Sequence, residues 1–208
     1  MTKKLLLLNI SLLSGLSFAM GGSSPSPSPE GVGARWEGRR SEGTSWTRHT
    51  QDELRRLAGG LENGIPGDVR EFCPEFSSLS DLKVRKFYTY LISAMSELES
   101  GHNPNTSYRE NFKDSRGRFV VSRGLLQISI ESGNAYGCGF QSEQQLHDPF
   151  KNLSCGVRIV DRWVNRDGRI AGKVSGSWRG AARYWSVLRT TSKVSQIKSW
   201  TKNYCKSL

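Results

Sequence analysis

The sequence predicts a mainly α domain with at most a small β-hairpin, stapled by two disulfides. Three observations carry this. Apolar residues recur at helical spacing over long stretches that end in clear stop signals. One short run, Phe119-Val-Val121, has strand character, and it lies between Gly117 and Gly124. All four cysteines, Cys73, Cys138, Cys155 and Cys205, fall in the last two thirds of the 208 residues.

Residues 1–19 have the pattern of a secretory signal. Lys3 and Lys4 precede the apolar run Leu5 to Leu13, and Ser17 and Ala19 suit signal peptidase. No cysteine stands at the cleavage point for lipid attachment, so the expected product is exported and carries no membrane span. Residues 20–50 open with Gly21-Gly-Ser-Ser-Pro-Ser-Pro-Ser-Pro29 and continue rich in Gly, Arg and Glu, which reads as a flexible linker. Residues 51–208 then form one domain, large enough for a single core.

Within that domain, Thr50-Gln-Asp-Glu53 has capping-box spacing and predicts a helix from Gln51 to Ala58, stopped by Gly59-Gly60. Ser80 can cap a long helix to Ser100, ended by Gly101. Asp148-Pro149 is a strong helix start, with Phe150, Leu153, Val157, Val160 and Val164 at alternating steps of three and four before Asp167-Gly168 ends the run. Two further helices fit Arg179 to Val187 and Ser192 to Tyr204.

The cysteines allow three pairings. Cys138 with Cys155 closes a local loop and Cys73 with Cys205 ties the domain's ends, and an exported protein keeps such bonds. With no CxxC pair and the histidines His49, His102 and His147 scattered, zinc is not expected, and neither is any other metal or cofactor. The net charge is +11, and +9 once the signal is removed. Such a surface attracts polyanions, among them cell-wall polymers, anionic lipids and nucleic acid. Charge alone does not choose between these, and nucleic acid has no other support, so it is not an expected partner.

In the helix from Ser80, Tyr88, Leu91, Ile92, Met95 and Leu98 set the apolar face. At about 100° per residue Glu99 lies within roughly 40° of Tyr88, Ile92 and Met95, whereas Glu97 points away, toward water. A carboxylate at the end of an apolar stripe is either frayed out into solvent, as an ordinary helix-end glutamate, or partly buried and so desolvated. In the second case its pKa rises, as a general acid near neutral pH requires.

Leu98-Glu-Ser-Gly-His-Asn-Pro104 followed by Ser122-Arg-Gly-Leu-Leu-Gln-Ile128 resembles the core of the soluble lytic transglycosylases and goose-type lysozymes. There a Glu-Ser pair ends a long helix and a Gly-Leu-Met-Gln-Ile segment follows; Leu126 stands here in place of the methionine. Leu146-His-Asp-Pro149, with Asn152 and Gly156, resembles the family's next helix start, and Ala182-Arg-Tyr-Trp-Ser186 stands where it has a tyrosine segment. The Arg183 to Arg189 wording and the four cysteines are similar to a lysozyme-like branch of predatory bacteria, some members of which act on de-N-acetylated peptidoglycan.

The resemblance implies a lysozyme-like α+β domain, acting as a monomer, that cleaves the β-1,4 bond between N-acetylmuramic acid and N-acetylglucosamine in peptidoglycan glycan strands. Glu99 would be the catalytic acid and base, Ser100 would orient it, Gln127 and Tyr184 would bind the glycan, and Trp185 would lie beside the sugar. Asp114 and Glu131 are the best-placed second carboxylates, although the family works without a carboxylate nucleophile. A chitinase or chitosanase, or a non-catalytic wall-binding module, are the competing readings.

Overall fold

The long helix α3 (Asp81–Ser100) is the axis of the molecule. Phe87, Tyr88, Leu91, Ile92 and Met95 are fully buried along it. Gly101, at φ 61°, turns the chain out of the helix in a left-handed conformation that glycine adopts without a Cβ penalty. Ser80 sits at the expected start in extended backbone, but its side chain makes no cap bond. The structure is a computed structural model that describes residues 33–57 and 59–208; the expected signal segment lies outside the described residues.

Part of the linker expected over 20–50 lies outside the described residues, and from residue 33 onward the chain is instead part of the core. Trp36 and Trp46 are 0 % and 2 % exposed, and the Arg35 backbone N–H donates to Ser93 Oγ on α3 at 3.0 Å. Helix α1 runs over Gly43–Leu57, eight residues ahead of the expected start at Gln51. Thr50 is therefore mid-helix, its hydroxyl donating to the Trp46 carbonyl, and Glu53 pairs with Arg56. The buried stripe Trp46, Thr50, Leu54, at steps of four, drives the longer helix. Gly59 and Gly60 do not stop the helical run as expected, for both belong to α2 (Gly59–Asn63).

The segment over residues 33–40 covers the α3 face opposite the apolar stripe, so Glu97 is not in water. Arg35 and Arg39 pair with its carboxylate, and Arg35 also lies 3.6 Å over the Trp200 ring. Burial alone would raise the Glu97 pKa, but its two arginine partners, Arg35 foremost, hold it below the usual range. His102 is fully buried beside this cluster, and burial pushes its pKa down to about 4.

After α3 the strands β1 (Ser107–Lys113) and β2 (Phe119–Arg123) form an antiparallel hairpin. Its register pairs Tyr108 with Ser122 and Arg109 with Val121, then slips so that Lys113 faces Phe119. The short helix α4 (Ile130–Ala135) and the long α5 (Pro149–Asp167) follow. Asp148 caps α5, accepting from the Phe150 and Lys151 N–H groups. Helix α1 lies against α5 and α3, and α3 against α6 (Thr191–Cys205).

The helix expected from Arg179 is absent. Strands β3 (Ala171–Val174) and β4 (Ser177–Gly180) make a second hairpin there, followed by 3-10 turns at Ala181–Arg183 and Ser186–Leu188. Ser175 and Gly176 both have positive φ, as a two-residue hairpin turn requires. A Cβ on Gly180 would lie 2.2 Å from the Arg169 carbonyl oxygen, so this glycine marks a close backbone approach. Both expected disulfides form: Cys73–Cys205 and Cys138–Cys155. No helix among the described residues is long and apolar enough to cross a membrane.

Candidate active site

A cleft of about 470 Å³ opens between the β1–β2 hairpin and the end of α3, and Glu99, Gln127, Tyr184 and Trp185 all line it. The periodicity of α3 carries Glu99 to this position. The Val187 N–H bonds its carboxylate, while Oε1 is buried without a protein partner. Burial is the largest influence on its pKa and pushes it up to about 7. Lys193, the Val187 N–H and Arg189 oppose this, and the nearby Glu110 adds to it. A carboxyl held this way is half protonated near neutral pH and has an unbonded oxygen facing the cleft.

Gln127 is set by strained backbone, at φ 48°, unusual for a residue other than glycine. Its amide Nε2 donates to the Thr106 and Gly124 carbonyls at 3.1 and 2.8 Å. These two acceptors fix which end of the amide is nitrogen. Oε1 is left buried and unbonded, an acceptor offered to whatever enters. The loop beneath is held by Asn152 on α5: its Oδ1 accepts from the Leu126 N–H, and its Nδ2 donates to the Leu146 and Arg123 carbonyls. Gly156, one turn on, leaves room for Leu126, whose Cδ1 would lie 2.1 Å from a Cβ at that position.

Two expected roles change. Ser100 does not bond to Glu99; its hydroxyl donates to the Leu125 and Ser96 carbonyls, pinning the end of α3 to the loop before Gln127. Trp185 is only 2 % exposed and donates its indole N–H to the Leu126 carbonyl, so it is a wall of the cleft and presents no open face. Tyr184 shares a 2.6 Å hydrogen bond with Ser132 and contacts the Trp185 ring, and burial raises its pKa to about 12.

Sequence reasoning passed over Glu110 and Phe112. Both stand on β1 and line the cleft; Glu110 accepts a 2.7 Å bond from Ser122, and the Phe112 ring is 56 % exposed. The signal was available: a strand at Phe119 needs an antiparallel partner, and pairing back across Gly117 places Glu110 near Ser122. Asp114 and Glu131 also line the cleft, but each has a local task. Asp114 closes the hairpin turn by accepting from the Arg116 and Arg118 N–H groups and from the Arg118 guanidinium, bonds that lower its pKa. Glu131 accepts from the Ser115 hydroxyl and so ties the hairpin tip to α4.

No protein-family model and no curated protein matches the chain. Solved structures do match. Wild-type Bd0314 DslA of Bdellovibrio is 50 % identical, with a TM-score of 0.80, over 86 % of this chain and 100 % of that one. Two DslA variants, each with one glutamate replaced by glutamine, match at 50 % and 51 % identity and TM-scores of 0.80 and 0.79. They cover 98 % and 96 % of those chains and 84 % of this one, and the two replaced glutamates stand eleven positions apart in that protein's numbering. At this identity over nearly the whole of those chains, the present chain belongs to the DslA family.

Proposed function

We propose that this chain is an exported glycosidase that cleaves the β-1,4 bond between N-acetylmuramic acid and N-acetylglucosamine in peptidoglycan, as a lysozyme or lytic transglycosylase, with Glu99 as proton donor. The observation that carries the reading is the desolvated Glu99 carboxyl, unbonded at Oε1 and lining a cleft of about 470 Å³. Its pKa near 7 keeps a proton available for the leaving oxygen, and the carboxylate left behind takes one back from the attacking hydroxyl. Gln127 Oε1 accepts from a sugar hydroxyl or amide, and the exposed Phe112 ring offers a face to a sugar ring.

Glu110 supplies a second carboxylate, facing the positive charge that develops on the ring. In support, Glu99 and Glu110 are eleven residues apart, the spacing of the two glutamates replaced in the DslA variants. The cleft also collects Asp114 and Glu131, so its lining carries four acids against two cations, Lys113 and Arg189, in a protein of net charge +11. That concentration of negative charge favours strands whose amino sugars are de-N-acetylated and carry ammonium groups.

The test digests purified sacculi, native and chemically de-N-acetylated, and analyses soluble fragments by mass spectrometry. Anhydro ends identify a lytic transglycosylase and reducing ends a lysozyme; release from the de-N-acetylated wall alone supports the acidic-cleft argument. Glu99→Gln is expected to lose at least a hundredfold in rate and Glu110→Gln to lose rate with its fold unchanged. If neither wall releases fragments, the glycosidase reading is wrong and a wall-binding module becomes the better one; if Glu99→Gln releases as much as the parent, Glu99 is not the proton donor.

A further inference from the structure

On the flank of the cleft, away from its acids, three guanidinium groups crowd one indole. Arg183, Arg166 and Arg162 lie 4.8, 5.1 and 5.9 Å from the Trp163 ring. Arg158, Arg162 and Arg166 are four residues apart on α5 and share one stripe of it. Arg183 and Arg179 are engaged with Asp167, whereas Arg158, Arg162 and Arg166 have no acidic partner among the described residues. Asp161, the nearest other acid on α5, interacts with Asn165 and with Tyr88 in the core. Asp167 already offsets Arg183, but Arg162 and Arg166 beside the same ring repel each other, and a further anion seated between them relieves that repulsion.

A chain of packed rings joins this surface to the cleft wall. Tyr184, on the cleft wall, packs edge-on against Tyr136 at 5.7 Å, and Tyr136 against Trp163 at 6.2 Å, with the Trp163 indole N–H donating to the Tyr136 hydroxyl. The Tyr184 and Trp163 ring centroids are thus about 12 Å apart at most. Four residues of extended peptide reach about 13 Å.

We infer that the stripe of Arg158, Arg162 and Arg166, the last two beside Trp163, binds the carboxylates of the short acidic peptides that branch from the glycan strand held in the cleft. This rests on the glycan-cleaving reading above and divides the substrate by charge: acids receive the sugars, and arginines, which pair carboxylates bidentately, receive the peptides. The strongly basic chain and its acidic cleft are then two halves of one recognition surface.

The experiment measures binding, not turnover, using the full chain carrying Glu99→Gln so that strands stay intact. Co-sedimentation is compared on sacculi with peptides present and on sacculi stripped of peptides by an amidase. Arg162→Ala/Arg166→Ala, both exposed positions, is expected to weaken binding about tenfold on peptide-bearing strands at moderate salt. On stripped strands it should match its parent, and its thermal melt should be unchanged. Equal loss on both strands, or no loss on either, overturns the inference, the first pointing to a different anion in the wall. Fragment release by the active chain, measured in parallel, separates the two claims: a peptide-dependent binding difference without fragment release upholds the basic surface and removes the catalytic reading.

Discussion

Glu99 combines a folded-state pKa near 7 with an ordinary unfolded value, and two consequences follow at the level of this one side chain. The protonated form is the one that donates, so the rate on sacculi is expected to fall as pH rises through about 7, and a pH–rate profile of the parent checks this. Folding also takes up a proton between the unfolded pKa and about 7, so native Glu99 binds more protons than unfolded Glu99 there. Stability is then highest below that window and declines as pH rises across it, by on the order of 3 kcal/mol at most. Glu99→Gln removes this decline, so its melting temperature should exceed the parent's at pH 8 by more than at pH 4. Glu99 was legible because one helix's periodicity fixes its direction. Glu97 was not, because the same angular argument sees only α3 and knows nothing of the segment laid across its far side.

That segment and the loop around Gln127 are the elements that hold the site rigid. Glu97 lies two residues from Glu99 on the opposite side of α3, clamped by Arg35 and Arg39. Arg35→Ala leaves a carboxylate partly buried with one partner fewer and is expected to cost about 2 kcal/mol, a figure that allows for residual solvent screening. Glu97→Ala in the same background should add less than it costs alone, since both changes break one contact; chemical denaturation of the four proteins measures this. Because Glu97 titrates below its usual range, the clamp's contribution is present above the ordinary glutamate pKa and is lost as pH falls below it. Asn152→Ala removes three hydrogen bonds under the Gln127 loop and is expected to cost about 2–4 kcal/mol and to lower kcat on sacculi more than it raises KM. The helices α3, α5 and α6 could be read from spacing and caps. The β3–β4 hairpin could not, because its only local signal is Ser175-Gly176, and apolar residues around Ala181 and Val187 imitate a helical stripe. The start of α1 was misread because a Gly- and Arg-rich composition outweighed two tryptophans, although a linker has little use for buried indoles.

For the molecule as a whole, the two disulfides differ in what they constrain. Cys73–Cys205 spans 132 residues and Cys138–Cys155 only 17, so loop entropy assigns about 5 and about 3 kcal/mol to them. Replacing both members of each pair by serine and comparing denaturant midpoints should show the larger loss for Cys73/Cys205. The pairing was legible from sequence because only one arrangement both closes a local loop and joins distant ends. The placement of Glu110 opposite Glu99 was not, since it depends on how a hairpin meets a helix 11 residues earlier. The two edges of the described chain also converge: Arg35 stacks on Trp200, and Cys205 is bonded to Cys73. Synthesis proceeds from one end, so α1 and α3 emerge long before the helix that completes them. Until α6 arrives, α3 lacks a neighbour and Arg35 has no ring to cover. The contacts that close these two edges on each other are thus the last that the growing chain can make.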